Sequence, residues 1–169
     1  MIILGIDPAI RCSGYAVIKV GSVNDMSIVD CGVIRNGKNL PHTECLRRLA
    51  GGIRELIDTY KPDAASIEDP FLGKNPATVI VLGMARGAIL TVLGERGIPV
   101  YPYKPTTAKR AAVGNGQADK TQVALMMSVL FSLDVSQIPL DSTDALSLAV
   151  CLGQTAARQD AELILPKPL

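Results

Sequence analysis

Four acidic residues stand where a chain could use them for chemistry. Asp7 ends a short apolar run, Ile2 to Ile6, and Glu68 ends another, Ala64 to Ile67. Asp141 and Asp144 lie three residues apart near the C-terminal end, so on a helix they share one face. Carboxylates cannot crowd together ionised without counter-charge. Hard divalent cations supply it, and Mg²⁺ prefers an all-oxygen shell. Two such ions ~3.5–4 Å apart can activate water and stabilise a leaving oxygen in phosphodiester hydrolysis. Each acid also has a structural reading. Asp141 or Asp144 would suit the positive end of a helix, and Asp7–Pro8 would suit a strand-ending turn. Glu68 is the stronger candidate, because Ser66–Ile67–Glu68–Asp69–Pro70 puts an acid directly after a buried strand. Asp69 would point the other way and is not counted as a ligand. The single histidine, His42, leaves little for a His-based zinc site or a serine triad.

The elements that must position these acids follow from hydrophobic period and turn signals. Ile2–Ile6 reads as a buried central strand. Gly14–Val20 and Met26–Ile34 are β-rich and separated by Gly21–Ser22 and Asn24–Asp25, a turn signal. Leu46, Leu49, Ile53, Leu56, Ile57 and Tyr60 carry helical spacing, stopped by Lys61–Pro62–Asp63. Ala64–Glu68 is a fourth strand, 76–95 a second helix and Ile98–Tyr101 a fifth strand. Three further helices are expected at about 105–113, 119–130 and 142–153. The order β-β-β-α-β-α-β-α predicts an α/β domain with a mixed five-stranded sheet flanked by helices. One domain, 1–154, is expected, with 155–169 as a poorly ordered tail.

The 169 residues are 48% hydrophobic and 20% charged, a globular composition that excludes disorder as the ground state. Net charge is +1. Residues 73–120, however, hold seven basic side chains (Lys74, Arg86, Arg96, Lys104, Lys109, Arg110 and Lys120) against Glu95 and Asp119. This stretch is either a nucleic-acid surface or an ordinary solvated one. Cys12, Cys31, Cys45 and Cys151 form no C-x-x-C pair and read as reduced, packed thiols. Neither a signal peptide nor an uninterrupted run of 18 apolar residues is found, so a soluble cytoplasmic protein is expected.

Five segments, in order, resemble the RuvC family of Holliday junction resolvases. They are Ile3–Leu4–Gly5–Ile6–Asp7–Pro8 with Ser13–Gly14–Tyr15; Ile67–Glu68 with Phe71 and Lys74–Asn75; Leu82–Gly83–x–Ala85–Arg86–Gly87; Val113–Gly114–x–Gly116–x–Ala118–x–Lys120; and Asp141–Ser142–Thr143–Asp144–Ala145–Leu146. Any one is weak, but the ordered set spans residues 2 to about 153. The resemblance implies a ribonuclease H-like fold and a structure-specific endonuclease that resolves four-way DNA junctions by paired symmetric nicks. It implies Asp7, Glu68, Asp141 and Asp144 as metal-binding catalytic acids. They would hold two Mg²⁺, with Mn²⁺ able to substitute and Asp7 shared between the ions. It implies Lys120 as a catalytic cation, and Phe71, Lys74, Lys109 and Lys120 as DNA contacts, Phe71 stacking on or wedging against a base. Gly83 and Gly87 would mark the seam of a homodimer, which suits a two-fold junction needing two cuts. A branch-migration helicase complex would be a further partner, and no membrane is involved.

Two departures stand out: Ala9 where many relatives have glycine, and Ser13 where many have threonine. Gly114–Asn115–Gly116 is either a phosphate cradle or a turn, and Arg86 either braces its helix or touches DNA. Three other readings compete. A sugar-kinase or actin-like ATPase shares the first loop pattern but needs two such domains. A catalytically silent junction binder is disfavoured by four intact acids. The ribonuclease H-like family implicated in ribosomal RNA maturation fits the long second helix and paired final acids less well.

Overall fold

The computed structural model describes residues 1–69 and 75–169. Five strands form one mixed sheet in the order β3-β2-β1-β4-β5. They are β1 (Ile2–Asp7), β2 (Cys12–Ser22), β3 (Asp25–Arg35), β4 (Ala64–Glu68) and β5 (Val100–Tyr103). β1 pairs antiparallel with β2 and parallel with β4. The central strand is therefore covered on both faces, and Ile3, Leu4 and Ile6 are completely or almost completely buried. This matches its unbroken apolar run.

Two apolar layers sandwich the sheet. On one side α1 (His42–Tyr60) and α2 (Pro76–Glu95) pack on Leu4, Ile6, Val17, Ala65 and Ile67. On the other, α4 (Lys120–Phe131) and α5 (Thr143–Ala156) cover Ile3, Ala16, Ile18 and Val20, with α3 (Pro105–Val113) packed beside α5. The buried side of α1 is Cys45, Leu49, Ile53, Leu56 and Ile57. α2 starts on an Asn75 cap with Pro76 behind it, and α4 on an Asp119–Gln122 capping box. The expected fold class is the observed one. The fifth strand sits two residues later than its apolar run suggested, because Ile98 and Pro99 still belong to the turn after α2.

α2 is apolar around its whole circumference, and by length and composition alone it could cross a membrane. Here it flanks the sheet instead. Ala85, Ile89, Val92 and Leu93 are buried against the sheet and α1, while Ile80 and Met84 remain exposed on the opposite side.

Beyond residue 154 the chain departs from the expected free tail. α5 continues to Ala156 and a single turn, α6 (Ala161–Ile164), follows. Leu165 packs against the core, and the Leu169 amide donates to the Val100 carbonyl at 2.9 Å. Leu165 supplies the apolar contact and the Leu169 backbone the hydrogen bond, while the Leu163 and Leu169 side chains stay exposed. No local period announces that.

Candidate active site

The parallel register pairs Ile6 with Ile67, so Asp7 and Glu68 occupy the next step of two neighbouring strands. Two glycines then bring the last helix onto them. A Cβ at Gly5 would run into the Ala145 carbonyl and stand 2.8 Å from the Ala149 amide nitrogen. A Cβ at Gly14 would run into the Asp141 carbonyl. Only bare backbone at these positions lets the start of α5 and the 3₁₀ turn before it, Leu140–Ser142, lie directly on β1 and β2. That contact delivers Asp144 and Asp141 to the strand ends carrying Asp7 and Glu68.

The carboxyls sit in two environments. Burial pushes Asp7 up to about 8, the charges of Glu68 and Asp144 add to the rise, and Lys120 pulls against it. Glu68 is also raised, first by burial and then by Asp144, while a hydrogen bond with Asp7 and the charge of Lys109 hold it back. Asp144 forms a close ion pair with Lys109, Nζ to Oδ1 at 3.0 Å. Asp141 lies at the solvent edge. Its Oδ1 faces Lys120 Nζ at 3.2 Å, and its Oδ2 faces an Arg35 guanidinium nitrogen at 3.3 Å and the Cys12 thiol at 3.6 Å. The Lys120 hydrogen bond holds Asp141 below the usual carboxylate range. Burial pulls Lys120 down, but Asp141, Asp144 and Asp7 outweigh it and its pKa rises.

Among the described residues, no three His, Cys, Asp or Glu side chains converge on one point at ligand distance. Asp141 and Asp144 are turned to lysines. The donor set nevertheless suits a hard divalent cation: oxygen donors only, with two neighbouring carboxyls pushed toward protonation first by burial and then by neighbouring carboxylate charge.

The surrounding residues resolve several readings left open by sequence. The turn after Asp7 does not need glycine: Ala9 has no positive φ. The buried Ser13 hydroxyl closes the turn, accepting from the Ala9 amide at 2.9 Å and donating to the Ala9 carbonyl at 2.5 Å. Arg86 braces its helix, donating from Nε to the Glu68 carbonyl at 3.2 Å and so pinning the end of β4. Gly114, at φ +76°, caps α3, and the Asn115 side chain accepts from the Gln117 amide. This segment is a turn. Phe71 and Lys74 lie outside the described residues. Arg35 and Cys12 were missed by sequence reasoning. They are register partners where β2 starts and β3 ends, and only that pairing brings both to Asp141.

The internal space beside Glu68, Lys109 and Asp144 is only about 10 Å³, room for roughly a single water-sized centre. A groove of about 580 Å³ lies between β3 and α1 and meets the acids described above through Arg35. Carboxyls paired with the Lys109 and Lys120 ammonium groups suit a phosphodiester substrate.

Known proteins decide the family. The family model described as "Crossover junction endodeoxyribonuclease RuvC" matches residues 3–152. The chain belongs to the RuvC family. RuvC of Chloroflexus aggregans is 40% identical over 154 residues, covering 90% of this chain and 93% of that protein. RuvC of Chlorobaculum parvum is 40% identical over 151 residues, covering 89% and 80%. Among solved structures, T. thermophilus RuvC in complex with a Holliday junction substrate superposes with a TM-score of 0.87 at 30% identity, covering 100% of this chain and 99% of that one. The yeast mitochondrial Holliday junction resolvase shares the fold, with a TM-score of 0.63 at 12% identity, covering 95% and 83%. The ribonuclease H-like architecture and the crossover-junction nuclease class expected from sequence are those of the family. The ATPase and ribosomal RNA readings fall away.

Proposed function

We propose that the Asp7, Glu68, Asp141 and Asp144 cluster hydrolyses phosphodiesters at the exchange point of a four-way DNA junction, leaving 5′-phosphate and 3′-hydroxyl ends. The observation that carries this reading is the burial of Asp7 at the end of β1 with the Glu68 and Asp144 carboxyls beside it, which together raise Asp7 to about 8. The four acids would hold two Mg²⁺, with Mn²⁺ as a substitute. When bound, the metal supplies the positive charge that acidifies water and polarises the phosphate.

The chain's own residues do the remaining work. Lys120 is charged and sits at the solvent edge on Asp141, from where its ammonium can turn to the charge that develops on the phosphate oxygens. Lys109 neutralises Asp144 from the opposite side. Ser13 and Arg86 fix the ends of β1 and β4, so the Asp7–Glu68 spacing is set before substrate arrives. Lys74, Lys109 and Lys120 would meet DNA backbone, and Phe71 would stack at the junction centre.

A homodimer would place two such sites on one two-fold junction. The exposed apolar side of α2 supports this, as does the open space around Gly83 and Gly87. A branch-migration helicase complex would share the substrate in the cytoplasm.

The test is cleavage of a synthetic mobile junction with and without Mg²⁺, beside linear duplex of the same sequence. Paired nicks on the junction alone, only with metal, are expected. The variant Asp7→Asn should lose roughly a thousandfold or more in rate while binding the junction at least as well, since several kcal/mol of charge stabilisation go and one negative charge is removed. Wild-type cleavage by Asp7→Asn would sink the site assignment.

A further inference from the structure

A groove beside the site described above meets it only at Arg35. It holds about 580 Å³ between the edge strand β3 and helix α1, and its charged lining is Arg35, Arg47, Arg48 and Glu55. Three guanidinium groups face the Glu55 carboxylate there, with Glu44 paired to Arg47 and Asp141 to Arg35. Its floor is bare. A Cβ at Gly51 would meet nothing within 4 Å, while Gly52 lets α1 close onto Ile34, whose side chain a Cβ there would approach to 2.8 Å. Arg48 is oriented by Asn36, with Nε donating to Oδ1 at 3.1 Å. Asn36 in turn is buried and donates to the Ile10 and Cys45 carbonyls. Arg47 is gripped by Glu44 through two nitrogens but keeps an exposed side chain. The groove is continuous with the catalytic acids, because Arg35 both lines it and reaches Asp141.

From this we infer that the β3–α1 groove is a second DNA-backbone track, in which Arg47 and Arg48 hold phosphates of a junction arm and Arg35 links that arm to the active site. The proposal rests on the nuclease reading above and adds to it a surface outside the basic 73–120 segment. Guanidinium forks suit phosphate oxygens. The arm would leave the site past Arg35 and run down the outer side of α1.

The experiment measures junction affinity against salt concentration, without divalent metal, for the wild-type chain, Arg47→Ala, Arg47→Ala/Arg48→Ala and Gly51→Glu. Arg47 is solvent-facing and Gly51 faces open space, so Arg47→Ala and Gly51→Glu leave the fold intact. Each should weaken binding roughly tenfold, the scale of one charge-assisted contact. The double variant should lower the salt slope by about 1 for each phosphate released. Shortening the junction arms should erase the difference between variant and wild type. Unaltered affinity and slope in Arg47→Ala and Gly51→Glu, with a wild-type chain that still cuts junctions, would overturn the inference alone. A wild-type chain that neither binds nor cuts junctions would remove both readings.

Discussion

Asp7 and Glu68 end neighbouring parallel strands one register step beyond the Ile6–Ile67 pair, close enough to hydrogen-bond to one another. Two carboxyls so placed with Asp144 beside them resist ionising together, and this has consequences for stability as well as for cleavage.

Asp7 ionises at about 8 in the folded chain against 3.8 in its ordinary state. The folded state therefore binds more protons than the unfolded state between these values, and stability falls as pH rises through that window. Asp7→Asn should be more thermostable than wild type at pH 8.5, with the gap narrowing toward pH 4. Added Mg²⁺ should raise the wild-type melting temperature more at pH 8.5 than at pH 6 if, as proposed, it is held by the ionised carboxyls. Thermal unfolding across pH, with and without Mg²⁺, measures both effects. A stabilisation by Asp7→Asn that is the same at every pH would contradict the crowding.

Gly5 carries α5 onto β1. Gly5→Ala forces a methyl against the Ala145 carbonyl and Ala149. It should cost about 1–3 kcal/mol in denaturant unfolding and also lower the cleavage rate, since Asp144 moves with the helix. Gly51→Ala, a helix position with open space, should be neutral or slightly stabilising. Equal stability of the two variants would mean that the β1–α5 contact tolerates the methyl.

Lys120 pairs with Asp141 at the solvent edge, both side chains about half exposed at 45%. Surface pairs of this kind add little to stability. Lys120→Met should leave the melting temperature within a degree or two, yet slow single-turnover cleavage roughly 10²–10³-fold, the cost of one charge-stabilising donor. Stability loss without a rate effect would make Lys120 a structural residue.

The bare side of α2 bears on assembly. Ile80 is 64% exposed, and a Cβ at Gly83 would meet nothing within 4 Å among the described residues. Gly83→Arg and Ile80→Asp should each shift the protein from dimer to monomer in sedimentation, with helix content preserved. Junction cleavage should then become dependent on protein concentration. Unchanged sedimentation in both would place the dimer seam elsewhere.

Much of this molecule was already legible in local pattern. The apolar run Ile2–Ile6, the helical spacing from Leu46 to Tyr60 and the turn signals between β-rich runs follow from periods that a residue and its near neighbours set. The four acids were legible as strand-end and helix-start residues, and their ordered motifs gave the family. Their meeting was not legible, because it depends on β4 lying beside β1 and on Gly5 and Gly14 admitting α5, contacts between residues 60 to 140 positions apart in sequence. The same holds for Arg35 and Cys12, which reach Asp141 only through the β2–β3 register, and for the C-terminal residues that dock beside β5. Residue types and short-range spacing determined which groups were present and what chemistry they could do. Long-range packing decided which of them touch, and therefore which carboxyl is buried, which lysine neutralises it and where the remaining arginines line an open groove.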